Sequence, residues 1–146
     1  YSEMNKLYSI RVFENITSSE KMHMNHVLDV MNNYGIDNPV DGDKSAAGVF
    51  ADENFAVMYS NMTAAGVRSV DAALQEAARF EDMDIAGLTE LEKGTESVCM
   101  KQLYGKLKGA SENHLRAFVR NLNRRGIEYA PVYLSKDSYN EIMNSK

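Results

Sequence analysis

Residues 69–94 read SVDAALQEAARFEDMDIAGLTELEKG, and their spacing decides the fold class. Val70, Leu74, Ala77, Ile85 and Leu88 return every three or four residues, with Glu81 standing at the centre of the row. At about 100° per residue these positions share one side of an α-helix. Ser69 is a good N-cap for it, and Gly94 marks its end.

The same period extends in both directions. Tyr1 to Tyr8 is a short amphipathic piece, with Tyr1, Met4 and Tyr8 on one side and Glu3 opposite. A longer stripe runs through Val12, Phe13, Ile16, Met24, Val27, Met31 and Tyr34, and Gly35 follows where a C-cap glycine belongs. Residues 36–49 have the Pro, Gly and Asp content of a surface loop. Asp52 opens a shorter helix through Phe55, Val57, Met58, Tyr59 and Met62, closed by Gly66. After Gly94, Thr95 is expected to cap a helix through Met100, Leu103, Leu107, Ala110 and Phe118, which stops at Arg124-Arg125-Gly126. An extended segment, 127–134, leads to a last short helix from Ser135. Three long amphipathic helices and the remnant of a fourth predict an all-α bundle.

Composition agrees and sets limits. The chain has 146 residues, 44% apolar and 25% charged, which suits one globular domain spanning 1–146. A net charge of −5 argues against a nucleic-acid partner that needs a broad basic face. No apolar run is long enough for a transmembrane segment. Cys99 is the only cysteine, so an internal disulfide and a thiolate zinc site are both excluded, and Cys99 itself reads as incidental. The first residue, Tyr1, is not methionine. Two readings follow: a processed, exported chain, or a sequence that begins partway into a domain. The compartment is otherwise unknown.

Ionisable residues inside the stripes carry the functional information. Glu20 falls among Ile16, Met24 and Val27, with His23 within about 60° of the same line. Glu81 has Asp84 offset from it in the same way, and His114 sits among Leu103, Leu107, Ala110 and Phe118. Charges inside a bundle must pair with one another or bind a metal. Glu20, His23, Glu81 and His114 are therefore expected to converge on one point, with Asp84 beside them. Carboxylates with imidazoles suit iron, or else manganese or zinc. Simpler readings stand beside this one. Thr17 to Glu20 (TSSE) has the pattern of a capping box, which would expose Glu20. His114 fits a satisfied core histidine, and Asp84 a solvated carboxylate.

Other features are weaker. Met22 and Met24 in KMHMNH point to different sides of a helix, which speaks against a copper box. Arg116, Arg120 and Arg124 form a row read as a solvated face. Asn15-Ile16-Thr17 and Asn61-Met62-Thr63 match the glycosylation triplet but fall inside expected helices.

Residues 13–39, 72–88 and 107–135 resemble the second, third and fourth helices of the prokaryotic family catalogued as domain of unknown function 2202, a ferritin-like family. Ser-x-Asn-His-Leu-Arg-Ala-Phe at 111–118 is the most specific part of the likeness. The resemblance implies a ferritin-like antiparallel four-helix bundle, its first helix truncated or partly missing, with short accessory helices. It also implies Glu20 and His23 on the second helix, Glu81 on the third and His114 on the fourth as a metal-site set. Glu81-x-x-Asp84 is similar to the paired carboxylates of rubrerythrins. The sequence departs from that pattern twice. The Glu-Glu-Lys that precedes the family's aligned tyrosine is not in this sequence, and Ser111 stands where a dimetal site has Glu three residues before the histidine. The expectation is a ferritin-like metal-binding protein, with a non-haem di-iron carboxylate oxidoreductase as its catalytic form. The alternative is a non-catalytic scaffold or assembly protein with a degenerate site. Metal ions are the expected partners, and a homo-oligomer is compatible with either reading.

Overall fold

The computed structural model describes residues 1–39, 47–50 and 52–145. Among them the chain forms six α-helices and no strand: α1 (Ser2–Tyr8), α2 (Arg11–Asn33), α3 (Glu53–Gly66), α4 (Val70–Gly94), α5 (Val98–Asn123) and α6 (Lys136–Asn144). The all-α expectation holds. The chain divides into two compact units, Tyr1–Ser69 and Val70–Lys146. No helix among the described residues is long and apolar enough to cross a membrane. Positions 40–46 of the expected loop lie outside the described residues.

In the first unit, α1 buries Met4 against Gly66, the last residue of α3. A Cβ at Gly66 would lie 2.6 Å from the Met4 sulfur, so any other residue would have to push the Met4 side chain aside. The Tyr8 hydroxyl donates to the Gly66 carbonyl at 2.8 Å, and the Tyr1 and Phe13 rings stand 6.5 Å apart. Glu3 turns outward as expected and pairs with Lys6. Ser9 adopts φ 51°, which breaks the chain between α1 and α2. Helix α2 buries Val12, Phe13 and Ile16.

Two members of the expected α2 stripe are exposed, Met24 at 61% and Tyr34 at 57%. A row spaced by four slips about 40° per step, so Met24 stands about 80° from Ile16 while Val27 returns to about 20°. Tyr34 is exposed because it is the C-cap, beyond the last helical turn. The side chain of Asp52 caps α3 by accepting from Asn54 N at 2.8 Å. Phe55 and Val57 of that helix are exposed, whereas Met58, Tyr59 and Met62 are half-buried. The two exposed positions lie about 200° apart on the helix, so they never belonged to one face.

The second unit is built on α4 and α5, which pack along their lengths. They run antiparallel: Asp71 at the start of α4 pairs with Arg125 just past α5, and Glu92 near the end of α4 pairs with Lys108. Leu74, Ala77, Ala78, Ile85 and Leu88 on α4 and Leu103, Leu115, Phe118, Val119 and Leu122 on α5 are buried in the core of this unit. Each large side chain so buried contributes about 1.5–3 kcal/mol. The N-cap of α5 is Ser97, whose Oγ accepts from Met100 N, and not Thr95 as expected. Thr95 instead accepts from Ser97 N and braces the turn, because the helix starts only at Val98. Gly126, at φ 75°, closes α5 as expected, with Ile127 N donating to the Leu122 carbonyl. Ser135 caps α6, as expected.

Arg116 is not part of a solvated row. Its guanidinium donates to the Ile142 carbonyl, to Ser145 Oγ and to Asn113 Oδ1, and so fastens the end of α6 to α5.

Candidate metal centre

Helix α2 starts at Arg11, so Thr17 is interior to it and its hydroxyl donates to the Phe13 carbonyl at 2.7 Å. This rules out the capping box. Glu20 and His23 lie one turn apart, with His23 Nδ1 3.2 Å from Glu20 Oε2. His23 Nε2 stands 3.4 Å from Ser19 Oγ, so both ring nitrogens have neighbours on their own helix. His23 is the better covered of the two, as its smaller angle to Ile16 implies. Asn15 and Asn61 lie inside α2 and α3, as expected for chance triplets.

The second unit holds a deeply buried ionisable pair. Glu81 on α4 is 1% exposed, and its Oε1 lies 3.5 Å from Nδ1 of buried His114 on α5. That separation exceeds ordinary hydrogen-bond length. It matches the roughly 3.3 Å between two donors on one tetrahedral ion with bonds of about 2 Å. A carboxylate and an imidazole nitrogen suit zinc, iron or manganese alike. The residues fit a divalent ion, and each offers it one ligand atom.

One turn along α4 and one turn back along α5, the Ser111 hydroxyl donates to Asp84 Oδ2 at 2.7 Å. Asp84 is half-buried and hydrogen-bonded, so the solvated reading does not hold. The antiparallel pair thus carries two polar rungs side by side, Glu81–His114 and Asp84–Ser111.

One buried carboxylate escaped the sequence reading. Asp82 is fully buried and accepts from the Tyr129 hydroxyl (2.8 Å), Val132 N (2.6 Å), Tyr133 N (3.2 Å) and Leu134 N (2.8 Å). It pins the strandless 129–134 segment to α4, with three donors on Oδ2 and one on Oδ1. The signal was present: Leu74, Ala78, Asp82 and Ile85 form a second row spaced by four, four and three. Burial pushes the Tyr129 phenol well above its usual range, and the bond to Asp82 pushes it further. Burial also raises Tyr139, with the charges of Asp82 and Glu128 adding to it. Cys99 is exposed in the first turn of α5.

The profile of the family described as "Uncharacterized protein domain (DUF2202)" matches residues 1–146. The chain is 37% identical over 145 residues to "Uncharacterized protein MJ0754" of Methanocaldococcus jannaschii, covering 99% of this chain and 77% of that protein. The crystal structure of hypothetical protein MJ0754 superposes with a TM-score of 0.96, at 37% identity, covering 100% of this chain and 82% of that one.

Proposed function

This chain belongs to the DUF2202 family, and from that footing we propose that it is a ferritin-like metal-binding protein. Glu81 and His114 are the core of the site, Glu20 the further carboxylate, and His23 and Asp84 the flanking groups. In this reading α2, α4 and α5 are the long helices of one four-helix bundle, and α1 is its shortened first helix. The observation that supports it is the buried Glu81–His114 pair, whose donors are spaced as ligands of a common ion rather than as hydrogen-bond partners. Burying a carboxylate to 1% exposure is costly, and a divalent cation offsets that cost.

The bound ion, iron before manganese or zinc, supplies Lewis-acid or one-electron chemistry toward small oxidants such as peroxide or O2. The chain's own residues hold it in place. Glu81 and Glu20 provide negative charge, His114 a neutral nitrogen, and the packed α4–α5 core keeps both donors fixed.

Anaerobic equilibrium dialysis of chelator-treated protein against Fe(II), Mn(II) and Zn(II) tests this. The expected result is stoichiometric binding of at least one of them. Binding should weaken by more than about a hundredfold in Glu81→Gln and in His114→Ala, since even outer-shell partners cost 10–100-fold. No binding of any of the three would favour the non-catalytic scaffold instead.

A further inference from the structure

We propose that Ser111 limits this centre to a single ion. The inference rests on the metal-binding reading above and concerns how many ions the site takes. A dinuclear bundle centre draws a Glu-x-x-His pair from each of two helices and a Glu from each of the other two. Helix α2 has such a pair in Glu20 and His23. On α5 the matching position three residues before His114 is Ser111.

The exchange changes the chemistry in two ways. A serine hydroxyl stays protonated near neutral pH, so it brings no negative charge to offset a second divalent ion. The hydroxyl is also committed: it is 3% exposed, so water does not compete for it, and it donates to Asp84 Oδ2 at 2.7 Å. That length is typical of a charge-assisted O–H···O⁻ bond. The Asp84 carboxylate is thereby drawn along its own rung toward α5, one helical turn from the Glu81–His114 rung. The α5 position that would bring a further carboxylate is occupied by a hydroxyl committed to Asp84, and the rung spaced for ligands takes the one ion. Ser111 is thus a positioning residue that sets the metal count.

The test loads chelator-treated full chain with Mn(II) and measures manganese per chain after dialysis, with the electron paramagnetic resonance spectrum of the same samples. The wild-type chain should bind one ion per chain and give the hyperfine pattern of isolated Mn(II). Ser111→Glu, which completes Glu-x-x-His on α5 and releases the Asp84 carboxylate to stand in for the absent first-helix Glu, should bind two and give the more closely spaced pattern of an exchange-coupled pair. Two ions in the wild type would overturn the inference and leave the metal-binding reading standing. No ion in the wild type, for Mn(II), Fe(II) or Zn(II), would overturn both. A Ser111→Glu chain with unchanged helical circular dichroism that still binds one would show that Ser111 does not set the count. Should that variant lose its helical signal, the wild-type count and spectrum decide alone.

Discussion

Replacing Asp82 by asparagine keeps the side chain's volume and removes its charge. In the native protein Oδ2 accepts from Tyr129, Val132 and Tyr133, and Oδ1 from Leu134. An asparagine that keeps its carbonyl toward the first three turns its amide toward Leu134 N, donor against donor. Three charge-assisted bonds then become neutral ones, a loss of about 1 kcal/mol each, and one N–H loses its acceptor at about 1–2 kcal/mol. Burying a neutral amide costs less than burying a carboxylate, and Val132 and Tyr133 are exposed enough for water to replace part of what is lost. The net expectation is a destabilisation of about 2–4 kcal/mol, a large fraction of a domain's total. Urea unfolding followed by circular dichroism measures it. Amide hydrogen exchange should show the loss of protection concentrated at 132–134. A change under about 0.5 kcal/mol with those amides still protected would refute the claim that Asp82 holds the tail.

The other predictions follow from the same geometry. The folded protein keeps the Tyr129 phenol protonated beyond the pH at which the unfolded chain releases it. This contribution is therefore complete below about pH 10 and declines as pH rises above that. Discounted for partial exposure, the decline is under about 1 kcal/mol per pH unit, and Tyr129→Phe should flatten it in urea titrations at graded alkaline pH. Gly66→Ala should destabilise by about 1 kcal/mol, since the new Cβ meets the Met4 sulfur. The same change in a Met4→Ala background should cost less, and strict additivity in a double-mutant cycle would argue against the contact.

The sequence made the helices legible because their apolar periods are long and seldom broken. Gly66, Gly94 and Gly126 marked helix ends that the structure keeps within three residues. Period alone names a face without saying how wide its cover is. Met24 therefore seemed internal although its row had drifted off the α2 face, and Asp82 was passed over although a second row ran through it. Thr95 and Ser97 are equally good caps by composition, and only the position of the first helical turn chose between them. Glu81, His114 and Asp84 were legible as interior polar residues because each interrupts apolar neighbours. Their partners were less so: the Ser111 hydroxyl on Asp84 and the Arg116 clamp on α6 depend on how helices align, which no single stripe records.

The two rungs between α4 and α5 also decide which alignment the hairpin accepts. Helices faced with leucine and alanine can slide past each other by a turn and still bury carbon against carbon. A slide of α5 in one direction would set Phe118 against Glu81 and Leu115 against Asp84; in the other, Ala110 and Leu107 would take those places. Each shifted pairing leaves two carboxylates facing hydrocarbon, and an uncompensated buried charge costs several kcal/mol. The native alignment is the one that sets an imidazole beside Glu81 and a hydroxyl on Asp84. Interior polar groups that add little to the depth of the energy minimum thus make the neighbouring minima shallow, and the hairpin arrives at one offset instead of several.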